Sequence, residues 1–154
     1  MRTYVTLLVL ISLAGCKNEN VKTQKAIEGS WRLNQIVFTT IRGIAQDSVV
    51  TYSEGGFIFD AGKADNRNDV SYRLGAKQPI FTTYVTESET VFFNEPCCNV
   101  DWNQIYFMPR GSFRLDFSGK DELVLTGAAY FANQPGKPGR NVRISLRRGS
   151  LGGQ

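Results

Sequence analysis

FRLDFSGKDELVLTGAAYF, residues 113–131, decides the fold. Phe113, Leu115 and Phe117 alternate with Arg114 and Asp116, a period of two that turns one face of an extended chain to a core and the other to water. Ser118-Gly119-Lys120-Asp121 supplies the residues of a reversal. Leu123, Leu125, Gly127, Ala129 and Phe131 then share one face of a second, longer strand. A helix would scatter these positions around its circumference.

The same pattern extends in both directions. Downstream, a Pro/Gly loop over 133–139 leads to Val142, Ile144 and Leu146. Upstream, the candidate strands carry Trp102 to Met108, Val91 to Phe93, Ile80 to Thr86, Val70-x-Tyr72-x-Leu74, and Phe57-x-Phe59 after Gly55-Gly56. The first candidate strand sets Trp31, Leu33 and Val37 against Arg32 and Asn34. Nine candidate strands result, with no amphipathic helix. Pro79, Pro96, Pro109, Pro135 and Pro138 are expected at strand ends or in loops, where no ladder hydrogen bond is lost. Short strands at regular spacing, each with one wet face, predict an all-β, antiparallel, up-and-down barrel of about eight strands. Closure is favoured because it leaves no long edge unpaired.

The amino-terminal end has a different character. Arg2 precedes an apolar run from Val5 to Leu13, and Leu13-Ala14-Gly15-Cys16 follows. This reads as an export signal. It resembles the lipobox of bacterial lipoproteins, which implies cleavage before Cys16 and acylation of that cysteine with palmitate-type chains. The run is too short to span a bilayer, which takes ~20 residues, so the expected anchor is lipid. One acyl chain holds a protein only marginally and two hold it stably. Residues 17–25, Lys-Asn-Glu-Asn-Val-Lys-Thr-Gln-Lys, show no hydrophobic period and read as a flexible tether. The expected organisation is a signal peptide over 1–15, the acylated cysteine and tether over 16–26, the barrel domain over 27–149, and a disordered tail over 150–154. Lys17 stands where an Asp would signal inner-membrane retention, so the resemblance favours the outer membrane, on its periplasmic or surface face.

Ile27-Glu28-Gly29-Ser30-Trp31-Arg32-Leu33 places a Gly-x-Trp at the opening of the first strand. This resembles the lipocalin and calycin group, and is closest to the compact lipocalin-like domains of bacterial lipoproteins. Asp121-Glu122-Leu123-Val124-Leu125-Thr126 resembles a late strand of the same domains. The resemblance implies that Trp31 closes one barrel end beneath a basic side chain from the last strand. Arg147 and Arg148 are the candidates, and Arg148 shares the parity of Val142, Ile144 and Leu146. The resemblance also implies a small apolar or amphipathic ligand in the barrel mouth. The expected lining is Phe57, Phe59, Tyr72, Phe113 and Phe117, with Gly127 and Ala129 either leaving room or facing a bulky neighbour. The alternative is a filled barrel acting as a structural or adaptor lipoprotein, with an envelope protein partner held by its loops and an exposed aromatic patch.

Little else in the sequence carries chemistry. There is no histidine, which removes the commonest general base near neutral pH and the usual nitrogen ligand for zinc. No nucleophile-elbow, phosphate-loop or His-based zinc motif occurs. Asp65-Asn66-Arg67-Asn68-Asp69 lacks the EF-hand pattern and reads as a solvated turn. The net charge of +4 is spread along the chain, without the basic, aromatic-interleaved groove of a nucleic-acid binder. No catalytic residue, metal or cofactor is expected. Cys97 and Cys98 are adjacent, with Cα atoms ~3.8 Å apart across a trans peptide, closer than an ordinary disulfide wants. Two reduced thiols, a strained vicinal disulfide and a bond to another chain all remain open.

Overall fold

The computed structural model describes residues 19–40, 48–51, 54–62, 68–75, 78–96, 107–131 and 140–151. Nine antiparallel strands run through them: β1 (Gly29–Thr40), β2 (Ser48–Thr51), β3 (Gly55–Ala61), β4 (Asn68–Leu74), β5 (Ile80–Glu87), β6 (Thr90–Phe93), β7 (Phe107–Phe117), β8 (Glu122–Phe131) and β9 (Arg140–Arg148). From β3 to β9 each strand pairs with the next in sequence, and β9 pairs back onto β1. The wall is therefore a closed, up-and-down antiparallel barrel of eight strands. The ninth, β2, shares an edge of β1 with β3. The first half of β1 pairs β3 (Trp31 opposite Phe57), and its second half pairs β2 (Ile36 opposite Val50).

Inward positions alternate as expected along most of the wall. Phe57 and Phe59 of β3, Val70 and Tyr72 of β4, Val91 and Phe93 of β6, Phe113 and Leu115 of β7, Leu123 and Leu125 of β8, and Val142, Ile144 and Leu146 of β9 are all buried. Burying a large apolar side chain of this kind stabilises by ~1.5–3 kcal/mol, so the interior dominates the stability.

Expectations are corrected at four places in the chain. In β1 the buried set is Trp31, Leu33, Ile36 and Phe38, and Val37 is only half-buried. The register against β9 slips between Leu33 and Gln35, leaving Asn34 as an extra residue that inverts the parity of everything after it. The expected strand over Trp102 to Met108 is, in its described part, the start of β7, which runs unbroken in sequence to Phe117. Pro109 therefore lies inside a strand. It sits at a register shift between Pro109 and Phe113, where the ladder is already interrupted and no N–H is missed. At the carboxyl end the expected disordered tail does not begin at residue 150, because Leu151 is half-buried and its side chain lies against Gly56.

The fourth correction concerns the tether. Residues 19–27 form a helix, α1, which lies across the barrel end where β1 begins. The positions less exposed than the rest are Asn20, Thr23, Gln24 and Ile27, which is helical spacing. Three of the four are polar, so α1 docks chiefly by hydrogen bonds. Ser88 N–H donates to Asn20 Oδ1 (2.8 Å), Thr23 Oγ1 donates to Ser88 O (2.6 Å), and Gln24 Nε2 donates to Asn68 Oδ1 (2.8 Å). Ile27 completes the cap by entering the core, fully buried. The ordered domain thus begins at least eight residues before position 27. The expected signal peptide over 1–15, Cys16, Cys97, Cys98 and residues 152–154 lie outside the described residues.

Candidate functional site

At the capped end the residues of the Gly-x-Trp opening meet the last strand. Trp31 is fully buried, and its indole Nε1 donates to Ile27 O (2.6 Å). The Arg148 guanidinium carbon lies 4.3 Å from the Trp31 ring centroid. Its nitrogens donate to three carbonyls: Nη2 to Ala26 O (2.8 Å), Nη1 to Glu28 O (3.0 Å) and Nε to Lys120 O (3.1 Å). One planar fork therefore stacks on the indole, caps the carboxyl end of α1 and ties down the β7–β8 turn. Gly29 makes room for it. Its φ is +109°, and a Cβ there would stand 3.2 Å from Arg148 Nη1. Arg147 points outward, toward Glu122 at 3.8 Å. Phe117 packs half-buried with its ring centroid 6.4 Å from that of Trp31.

The remaining lining candidates fill the interior with one another. Phe57 stacks on Phe59 (5.9 Å between centroids) and on Tyr72 (5.3 Å). Phe93 tilts against Phe57 and Phe59, Tyr84 meets Phe59 edge-on, and Phe113 meets Phe93 edge-on. All six rings are at most 1% exposed, so they border no space wide enough for a water molecule. Gly127 pairs directly with Phe113, and a Cβ on it would lie 2.7 Å from that ring. The space Gly127 leaves is therefore occupied by the neighbouring phenylalanine. Ala129 belongs to β8, and its side chain is outside the described set.

Two hydroxyls stand out in this interior. Tyr72 Oη and Tyr84 Oη are buried with no hydrogen-bond partner among the described residues. Burial pushes both phenols well above their ordinary range near 10, and for Tyr84 the carboxylates of Glu28 and Asp60 push the same way.

The outside of β3, β4 and β5 carries a groove of about 430 Å³. The register explains it. Ile58, Ser71 and Phe81 stand in one row across the three strands, so a small serine floors the space between two apolar walls. Asp60, Asp69 and Thr83 form the next row. The carboxylates of Asp60 and Asp69 thus stand directly opposite each other on neighbouring strands. Glu95 closes the groove and is held by Arg110 at 2.6 Å. Phe81 is 69% exposed, the most exposed of the large apolar side chains described. Sequence reading had no signal for this site, because Phe81 looks like any strand aromatic until its parity is known. Among the described residues no cluster of side chains could hold a metal ion.

No family model matches the chain, and no curated protein matches it. A solved structure to which it is similar is the crystal structure of a protein of unknown function from the DUF3598 family of Nostoc punctiforme PCC 73102. The identity is 13% and the TM-score 0.47, over 82% of this chain and 49% of that one. This chain therefore spans about half the length of that protein.

Proposed function

We propose that the chain is a bacterial envelope lipoprotein, anchored through acyl chains on Cys16, whose lipocalin-like barrel is a rigid carrier for a binding surface and not a container. The packed interior carries this reading. Six aromatic rings in mutual contact fill the described part of the interior, and four of them, Phe57, Phe59, Tyr72 and Phe113, are residues expected to line a ligand. Opening room there means displacing side chains whose burial contributes ~1.5–3 kcal/mol each. The groove on β3–β5 is the surface such a carrier would present. Its apolar walls, Ile58 and Phe81, and the carboxylate of Asp60 suit a segment of an envelope protein that offers an apolar side chain beside a cationic one. The function is binding without turnover, on the periplasmic or surface side of the outer membrane.

The test has two arms. Organic extraction of the purified full chain is expected to release acyl chains only after hydrolysis, and no free small molecule. An apolar compound recovered in equimolar amount would restore the container reading. Fluorescence titration with short peptides pairing Arg or Lys with an aromatic residue is expected to give saturable binding. That binding should weaken in Phe81→Ser and in Asp60→Asn. Equal binding by peptides with the basic residue changed to Glu would sink the groove assignment.

A further inference from the structure

The exposed apolar residues near α1 have no role in the groove. Val85 of β5 and Phe92 of β6 face outward and pair directly across the hairpin, 56% and 46% exposed. Val21, 43% exposed, lies on α1 between Asn20 and Thr23. Those two flanking residues are the ones that bind Ser88, the first residue of the β5–β6 turn, through both its N–H and its carbonyl. Ser88 has a φ of +52°, a conformation that non-glycine residues adopt at a cost and that these two bonds hold in place. The start of α1 is thus fixed to the tip of this hairpin.

Chain length does the rest. Two residues separate Cys16 from residue 19, so the cysteine lies within ~11 Å of the start of α1 at full extension. A lipid on Cys16 is thus attached at the hairpin end of α1, within reach of the β5–β6 turn. The other end of α1 lies about 10 Å further along its axis. There Arg148 holds Ala26 O, on the side of the barrel whose outer face carries Arg32, Arg143 and Arg147. That arginine-bearing side is held at the end of α1 opposite to the one joined to Cys16.

We propose that Val85, Phe92 and Val21 form a membrane-contact face, which enters the boundary between headgroups and acyl chains once Cys16 is anchored. The proposal rests on the lipid-anchor reading above. Charge does not oppose the contact. Glu89 at the turn lies 3.8 Å from Arg114, and Lys22 stands exposed on α1 beside Val21. Glu87 at the hairpin tip and Glu19 at the start of α1 remain, both exposed and able to stay in the wet headgroup layer. Three modest apolar side chains cannot bind a free protein to a bilayer. Attached to a lipid, they meet the surface at high effective concentration, and their contribution is orientation.

The experiment uses the full lipidated chain in vesicles of phosphatidylethanolamine and phosphatidylglycerol whose acyl chains carry bromine as a fluorescence quencher. On a Trp102→Phe background, Phe92→Trp and, independently, Val85→Trp place an indole on the proposed face. Arg143→Trp places one on the far side. The protein is expected to float with the vesicles. The Phe92→Trp and Val85→Trp indoles should shift to the blue and lose emission to bromine, and the Arg143→Trp indole should do neither. Flotation with equal quenching at all three sites, or with none, overturns the contact face and leaves the anchor standing. Failure to float overturns the anchor and the contact face together.

Discussion

β5 and β9 are strands of similar length with opposite habits. β9 turns Val142, Ile144 and Leu146 inward and Arg143 and Arg147 outward. β5 turns Thr82, Tyr84 and Thr86 inward and leaves Phe81 and Val85 in solvent. Folding alone selects the first arrangement. The second is tolerated because Phe57, Phe59, Phe93 and Phe113 reach across and supply the apolar volume that β5 withholds. The inward threonines are also accommodated, since Thr82 Oγ1 donates to Asn94 O at 2.7 Å. β5 thus has outward apolar surface that the core does not require, and this is the surface that both binding proposals use.

The contrast is broken most strongly on the β9 side. Ile144→Ala should cost ~2–5 kcal/mol, read as a lower urea midpoint with an unchanged slope. A cost below that of an exposed substitution would mean that the interior is not the packed solid described above. Gly127→Ala tests the packing from inside, because the new methyl meets the Phe113 ring; a loss of ~1–3 kcal/mol is expected by thermal or urea denaturation. A neutral or stabilising result would show spare room beside Phe113.

The buried phenols of Tyr72 and Tyr84 give a pH signature. Both remain protonated in the folded barrel at pH values where the unfolded chain ionises. The unfolded state then binds fewer protons, so stability is intact below about pH 10 and falls above it, by ~1.4 kcal/mol per pH unit for each phenol. Tyr84→Phe should flatten that decline. It should also raise stability at neutral pH by ~1 kcal/mol, because it removes a buried hydroxyl that lacks an acceptor. Unchanged alkaline unfolding in this variant would place the hydroxyl in water. The smallest effect belongs to the outward face of β5. Phe81→Ser should leave stability within about 0.5 kcal/mol while weakening peptide binding. A large loss of stability would make Phe81 part of the core.

Period-two alternation made most of the barrel readable, because β3, β4 and β9 each keep one parity throughout, and β8 keeps it over Leu123 and Leu125. Three features were hidden, each for a physical reason. The extra residue at Asn34 leaves no mark on composition, yet it moves Val37 out of the core and Ile36 in. Residues 19–27 contain good helix formers, but their docking face is Asn20, Thr23 and Gln24, invisible to any search for apolar periodicity. The β2 segment is four residues paired to only part of β1, too short to stand out from a loop. The corner of Gly29, Trp31 and Arg148 was accessible because parity alone separates Arg148 from Arg147. The groove was not, since it arises from the side-by-side register of three strands and no single run encodes a register.

Closing the wall through β1 and β9 has a consequence for how the molecule is made. Trp31 pairs with Arg148, and the arginine's bonds to Ala26 and Glu28 span sequence separations of 122 and 120 residues. Until the last strand has been synthesised and delivered, β1 has an open flank and the α1 cap lacks its clasp. Ring closure is accordingly a late event with a high entropic barrier, and folding belongs in the slow class of chains dominated by distant pairings. A nascent chain stalled before residue 140 would expose two strand flanks, so quality control in the cell would see a sticky, unclosed ribbon in place of the closed eight-stranded wall.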